Sequence, residues 1–250
     1  MKYFSAAFTL LFLLSAQAQA FEINTMTPEE RAIFRQEVRS YLLESPEVLM
    51  EAIAVLEQRQ ATANAVSDVE LIANNTAALF TDAGSFEGGN PEGDIVMVEF
   101  LDYRCGFCKR AHPEVVELIR ADGNIKLIVK EFPILGEQSV LASRFAISVL
   151  QNADADTYEI VHDELMAFRG DITVQSLERL ANELNLETAT IMGAMQSDNV
   201  SNVIAENRAL AVRLQINGTP AFIMGNQLMR GYVPLDGMQK IVADLRLASR

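Results

Sequence analysis

Residues 99–115, EFLDYRCGFCKRAHPEV, decide how the rest of the chain is read. They hold both of its cysteines, Cys105 and Cys108, with two residues between them. A strongly β-prone run, DIVMVEF at 94–100, leads into the pair. From Cys108 to Ala121 the spacing turns helical, with Val115, Val116, Leu118 and Ile119 available for packing. A second β-prone run, IKLIVKEFPI, covers 125–134. Strand, helix and strand within about 35 residues is a βαβ unit, which requires parallel strands.

Outward from this unit the pattern changes on both sides. A long helical stretch runs from about 137 to 213. Strand signals return at Ala221–Met224 and Leu228–Gly231, split by the hairpin-type turn Gly225-Asn226. A last helix is predicted from Leu235 to Leu247. Upstream, residues 81–94 (TDAGSFEGGNPEGD) read as turns. Residues 27–75 read as helical. Thr27-Pro28-Glu29-Glu30 carries an N-cap residue, Pro at N1 and Glu at N3. Ser45-Pro46-Glu47 repeats the start signal, so one helix stops near Leu43 and another begins. Phe34, Val38, Tyr41, Leu49, Ile53 and Leu56 make an apolar stripe that must be buried against this chain or a second copy. The polar, Ala-rich stretch after Leu56 favours a second copy.

The first twenty residues, MKYFSAAFTLLFLLSAQAQA, have a basic Lys2, an apolar run at 6–15 and a small-x-small site at Ala18-Gln19-Ala20. This is the pattern of a secretory signal peptide, too short to span a bilayer as an anchor. The formal charge of −14 argues against nucleic-acid partners, which need basic patches to replace phosphate counterions. Export to an oxidising compartment means that a C-x-x-C pair will be oxidised or cycling.

Three chemistries fit two nearby cysteines. A closed zinc site needs four ligands, and the only histidines, His112 and His162, have no common zinc-module spacing. A structural disulfide across so short a loop restrains the unfolded chain by only about 2 kcal/mol in the chain-entropy model. A reactive dithiol fits best. Cys105 would sit at a helix N-terminus, where free backbone N–H groups and the helix dipole favour a thiolate. Lys109 and Arg110 follow in the first turn and add positive charge. Cys108, one turn inside, would be buried and resolve a mixed disulfide.

The succession of strand, C-x-x-C, helix, strand, helical insertion, Gly218-Thr219-Pro220 and a ββα ending resembles the DsbA-like form of the thioredoxin fold, over about residues 85–250. The resemblance implies an α/β fold with an inserted helical domain. It implies Cys105 as nucleophile, Cys108 as resolving thiol, Thr219 ahead of a cis-Pro220 that presents a backbone edge to substrate, and Glu99 as a buried acid assisting proton transfer. Lys130, on the neighbouring strand, is the partner expected for Glu99. The strongest oxidants of the family carry a histidine inside the motif; here the dipeptide is Gly106-Phe107, which implies a less extreme oxidising potential. The leader TPEERAIFRQEVRSYLLESPEVLMEAI is similar to that of suppressor-of-copper-sensitivity C (ScsC) proteins, some of which oligomerise through such helices, and to Com1-like surface proteins.

The expected organisation is therefore a signal peptide (1–20), a helical oligomerisation segment (21–75) and a DsbA-like domain (76–250) with its insertion at about 137–213. The expected function is periplasmic thiol–disulfide isomerisation or reduction, with exported proteins as clients, a membrane redox partner to reset the motif, and a homodimer or homotrimer as the working unit. No cofactor or metal is expected. A dithiol oxidase, or a copper-binding protein using the two thiolates with the ten methionines in reserve, are the alternatives.

Overall fold

The structure, a computed structural model, describes residues 26–249. The signal peptide read at residues 1–20 lies outside the described residues. The chain divides into two compact units, one up to Arg59 and one from Gln60.

In the first unit, α1 (Pro28–Glu44) opens on the expected capping box. Thr27 Oγ1 accepts the Glu30 backbone N–H at 3.2 Å, and Glu30 Oε2 accepts the Thr27 N–H at 2.9 Å. Two donors that a helix start leaves unpaired are thereby satisfied. The helix ends before Ser45-Pro46, and α2 (Glu47–Ala73) follows. None of the α1 residues is buried. Phe34, Val38, Tyr41, Leu49, Ile53 and Leu56, the apolar stripe, are all exposed.

The second unit starts earlier than the composition suggests, inside the Ala-rich part of α2. Ile72 is buried in a cluster with Leu79, Phe100, Ile128 and Leu210. Asp68 accepts two bonds from the Arg230 guanidinium, at 2.9 and 2.8 Å. A cut at 75/76 would remove both anchors. Two buried positions on a single helix face are too few to lift the hydropathy of the surrounding alanines, so the boundary is invisible in composition.

A short α3 (Thr76–Phe80) precedes a five-stranded mixed sheet of β1 (Phe86–Gly89), β2 (Ile95–Leu101), β3 (Ile125–Glu131), β4 (Ala221–Met224) and β5 (Gln227–Arg230). The spatial order is β1-β3-β2-β4-β5. β2 and β3 are parallel and joined by α4 (Gly106–Asp122), as the βαβ reading requires; the other three pairings are antiparallel. Central β2 is covered on both faces, which is why it reads as an apolar run interrupted only by Glu99. Val98 and Phe100 face the cluster around Ile72, while Ile95 and Met97 face α4 and the final helix α10 (Leu235–Ala248). Between β3 and β4 the chain inserts α5 (Glu137–Asn152), α6 (Ala155–Ala167), α7 (Val174–Glu183), α8 (Thr188–Ala194) and α9 (Asp198–Arg213). The fold is thioredoxin-like with an inserted helical domain and N-terminal helices.

β1 lies where the sequence reads as turns. Its glycines pair by backbone alone: a Cβ on Gly89, whose φ is +67°, would lie 2.5 Å from the Ile125 carbonyl oxygen. Phe86 supplies the packing, stacked on Tyr158 with ring centroids 4.5 Å apart. Gly-rich edge strands carry almost no local strand signal.

Candidate active site

The end of β2 delivers the cysteine pair. After Leu101 the buried Asp102 organises the turn: its Oδ1 accepts the Arg104 N–H at 2.7 Å, and its Oδ2 accepts the N–H groups of Ile134 and Leu135 at 2.8 and 3.0 Å. The Asp102 carbonyl accepts the Cys105 N–H at 3.0 Å. Cys105 is then the N-cap of α4, in extended conformation, with Gly106 and Phe107 as the first two helical residues. Phe107 is exposed beside it, whereas Cys108 in the first turn is fully buried. Both cysteines are free thiols.

Cys105 is held in a thiolate-favouring setting. Its thiol is drawn down from the ordinary value of 9 to about 5, chiefly by the hydrogen bond from the Cys108 thiol, against the opposing effect of burial. The Thr219 side chain and the backbone N–H groups of Cys108 and Phe107 act in the same direction, although the buried Thr219 hydroxyl itself has no hydrogen-bond partner. Cys108 moves the opposite way and keeps its proton, because it donates to Cys105 and is buried near Glu99. The two sulfurs therefore rest in opposite protonation states. At pH 7 a thiol titrating near 5 is roughly 99% ionised, against about 1–3% for an unperturbed one.

The two cations after the motif contribute less directly than their sequence position suggests. Lys109 Nζ donates to the carbonyls of Leu165 and Phe168, at 3.2 and 2.7 Å, and so caps the end of α6. The Arg110 guanidinium lies over the Tyr232 ring, 4.4 Å from its centroid. Neither bonds to sulfur.

The Gly218-Thr219-Pro220 segment, far away in sequence, arrives just before β4. Cys105 Sγ lies 3.1 Å from the Thr219 carbonyl oxygen, and the Thr219–Pro220 peptide is cis. The backbone edge ahead of Pro220 is therefore in contact with Cys105.

Glu99 is buried on β2 as expected, but its partner is not Lys130. Lys130 Nζ donates to Asp82 Oδ2 at 2.7 Å and to the Ala78 carbonyl at 2.8 Å. The reason is register. Glu99 sits opposite Val129, and Phe100 sits opposite Lys130. Side chains alternate along a strand, so Lys130 shares the Phe100 face while Glu99 points to the other. Glu99 Oε1 has no hydrogen-bond partner. Burial and the neighbouring Glu131 carboxylate push its pKa up to about 8.

Glu131 went unnoticed in the sequence, and with it a buried network. Its Oε1 accepts from the hydroxyls of Tyr103 and Tyr158, each at 2.7 Å, and its Oε2 accepts from Ser143 at 2.7 Å. Burial raises it to about 7 despite these three donors. His162 Nδ1 lies 2.9 Å from the Tyr103 oxygen, and burial lowers its pKa to about 3. Since Tyr103 gives its single proton to Glu131, His162 Nδ1–H donates to Tyr103 and its Nε2 is left as the acceptor. His162 is thus a hydrogen-bonded buried histidine, as its helical surroundings suggest. The one available signal for Glu131 was an acid at the end of the β-prone run IKLIVKEFPI.

Among the described residues no group of three or more His, Cys, Asp and Glu side chains is arranged to hold a metal ion. Among them, no helix is long and apolar enough to cross a membrane.

The low Cys105 pKa makes a direct prediction. Ultraviolet thiolate absorbance of the reduced protein should titrate with a midpoint near pH 5, and Cys108→Ala should raise that midpoint by removing the main donor. A midpoint close to 9 in the intact protein would contradict the geometry. The sign for stability follows: a thiol depressed from 9 to about 5 stabilises the reduced fold fully above 9 and loses that stabilisation as pH falls through 5. The melting temperature of reduced protein, minus that of oxidised, should therefore rise between pH 5 and 8.

Comparison with known proteins gives two family matches, to the DSBA-like thioredoxin domain over residues 96–243 and to the copper resistance protein ScsC N-terminal domain over residues 30–63. A solved thioredoxin-like oxidoreductase from Silicibacter pomeroyi is 39% identical, with a TM-score of 0.64, covering 68% of this chain and 96% of its own. Proteus mirabilis ScsC in a transitional conformation is 28% identical, with a TM-score of 0.64, covering 91% of this chain and 99% of its own. The chain spans a quarter of the length of curated relatives such as the Na(+)/H(+) antiporter NhaA 1 of Salinispora arenicola, 24% identical over 162 residues, 65% of this chain.

Proposed function

The chain belongs to the DSBA-like thioredoxin domain family, and from that premise we propose that it is a thiol–disulfide oxidoreductase of the bacterial periplasm, isomerising or reducing disulfides in exported proteins. The observation that carries the reading is the asymmetry of the pair: Cys105 ionised at the N-cap of α4, Cys108 protonated and buried one turn inside. Cys105 attacks a client disulfide and forms a mixed disulfide. Either another client thiol then attacks, which rearranges the client, or Cys108 displaces it, which reduces the client and leaves Cys105–Cys108 oxidised. A membrane partner supplies the electrons that reset the pair.

The isomerase direction rests on the leader. An apolar stripe that is exposed along α1 and the first part of α2 is costly in a monomer and natural in a homodimer or homotrimer. Joined copies put several Cys105 sulfurs around one bound client. Reactivation of scrambled ribonuclease tests this: a rate well above that of glutathione alone supports isomerisation, and none at all leaves only reduction or oxidation.

The rival direction, a dithiol oxidase, is favoured by the Cys105 thiolate itself, since a stabilised thiolate makes the disulfide more oxidising. A thiol near 5 falls between about 7 for thioredoxin and about 3.5 for DsbA. The expected potential therefore lies between about −270 and −120 mV, measured against glutathione. A value at the −120 mV end, with no ribonuclease reactivation, would make the oxidase the better reading.

A further inference from the structure

A cavity of about 160 Å³, lined by Glu99 but by neither cysteine, is not used by the chemistry described so far; Glu99 is its link to the buried Cys108, whose thiol feels the Glu99 charge. Its floor includes Glu99, and its walls include His112 and Val115 of α4, Phe86 of β1, Leu127 of β3 and His162 of α6. Its mouth is formed by Glu159, Asp163 and Arg120. There His112 Nε2 meets Asp163 Oδ1 at 2.9 Å, with the Asp163 side chain more than half exposed to solvent. The two histidine rings stand 5.0 Å apart, edge to face.

The geometry has a chemical purpose. Glu99 is 1% exposed, and one of its oxygens has no partner in the protein. An acid so placed cannot trade protons with bulk water unless a polar path reaches it. The cavity is large enough for several waters, each needing about 10–15 Å³ of such space and two to four polar partners. We propose that this cavity is the proton channel of the Cys108 thiol, with Glu99 at its inner end and the His112–Asp163 pair as the exchange point with solvent. The proposal rests on the thiol–disulfide reading but not on its direction.

The step balances in each direction. During reduction of a client, Cys108 S–H gives its proton to Glu99 in its ionised form, a minority at pH 7 because burial and Glu131 raise its pKa to about 8, and the resulting thiolate attacks Cys105 Sγ. The Cys105–client S–S bond breaks, the Cys105–Cys108 bond forms, and the client leaves as a thiolate. Two electrons pass to the client. Glu99 then passes its proton out through the cavity to the basic nitrogen of His112 and on to water. During oxidation of a client, the proton runs inward along the same line to meet the departing Cys108 thiolate.

His112 is set up to receive it. Asp163 takes the Nε2–H, which leaves Nδ1 as the acceptor. Burial lowers its pKa, with Asp163 opposing, so the ring rests neutral between transfers. The charged and titratable groups around it are Glu99 from β2, Glu159, His162 and Asp163 from α6, and Arg120 from its own helix. Behind them stand Glu131, Tyr103 and Tyr158. From β1 only Phe86 and Gly89 line the cavity, neither of which titrates. Thioredoxin-like domains use a buried acid generally; the histidine mouth is a property of these residues.

The test is stopped-flow reduction of a disulfide peptide by the full reduced chain, resolving mixed-disulfide formation by Cys105 from its displacement by Cys108. In His112→Ala the second phase should slow at least about tenfold at pH 7, while the first stays within about twofold. Added imidazole should restore the second phase in proportion to its concentration, and His112→Phe, which fills the space, should slow but not respond. Asp163→Asn should shift the pH profile of the second phase. An unchanged second phase in His112→Ala overturns the proposal, as does a slowed one that ignores both imidazole and pH. If wild type shows no exchange at all, the functional reading fails instead. Circular dichroism and the Cys105 titration confirm that each variant is folded.

Discussion

Cys105→Ser is expected to bring reduction of insulin disulfides down to the uncatalysed rate, a loss of roughly a thousandfold or more. A serine hydroxyl is essentially never ionised at neutral pH, and nothing else at the N-cap of α4 carries a nucleophile. Cys108→Ala should behave differently. The variant retains the attacking sulfur but lacks the group that releases it, so clients should accumulate as mixed disulfides, visible as a mass shift on non-reducing gels and reversed by dithiothreitol. Insulin reduction, which needs both sulfurs, should then fall strongly. Ribonuclease reshuffling, which needs only Cys105, should fall less. If Cys105→Ser retained turnover, or if Cys108→Ala trapped nothing, the division of labour drawn from burial and pKa would be wrong.

Deletion of the leader should have the second largest effect. A chain starting at Gln60 keeps Asp68 and Ile72, the anchors of the second unit, and should fold. Light scattering is expected to report a dimer or trimer for the chain without its signal peptide and a monomer for the truncated one. Scrambled-ribonuclease reactivation should drop about tenfold, with insulin reduction within about twofold of the longer chain. The size of the effect follows from the stripe. Fully burying an aliphatic or aromatic side chain is worth about 1.5–3 kcal/mol. Six such positions on every copy, even half buried, reach the several kcal/mol that association costs. Phe34→Glu combined with Ile53→Glu should dissociate the assembly without shortening the chain. A longer chain that scatters as a monomer, or a truncated one that isomerises equally well, would remove the leader from the mechanism.

Much of this site was legible before any coordinates. The strand–C-x-x-C–helix succession placed Cys105 at a helix start and Cys108 inside, and the structure agrees at the level of the N-cap residue. Thr27 and Glu30 announced a capping box that is present bond for bond. Lys109 and Arg110 were expected to add positive charge beside the sulfur, but position along a helix does not say which carbonyl a long side chain will reach. Lys109 found the end of α6, an element some fifty residues away.

What the sequence determined by itself is the order of elements from Ile95 onward and the placing of Cys105 at a helix start with Cys108 one turn inside. These depend on hydrophobic period, on caps and on turn residues, all of which act within a few positions. The tertiary structure alone decided three things. It paired Lys130 with Asp82 and left Glu99 beside Glu131, because strand register sets which face each side chain takes. It built a strand from Phe86–Gly89, because close backbone approach is permitted by glycine but not signalled by it. And it joined Glu99 to His112 and Asp163 around one cavity, because β2, α4 and α6 converge there only once the sheet and its helical insertion have packed.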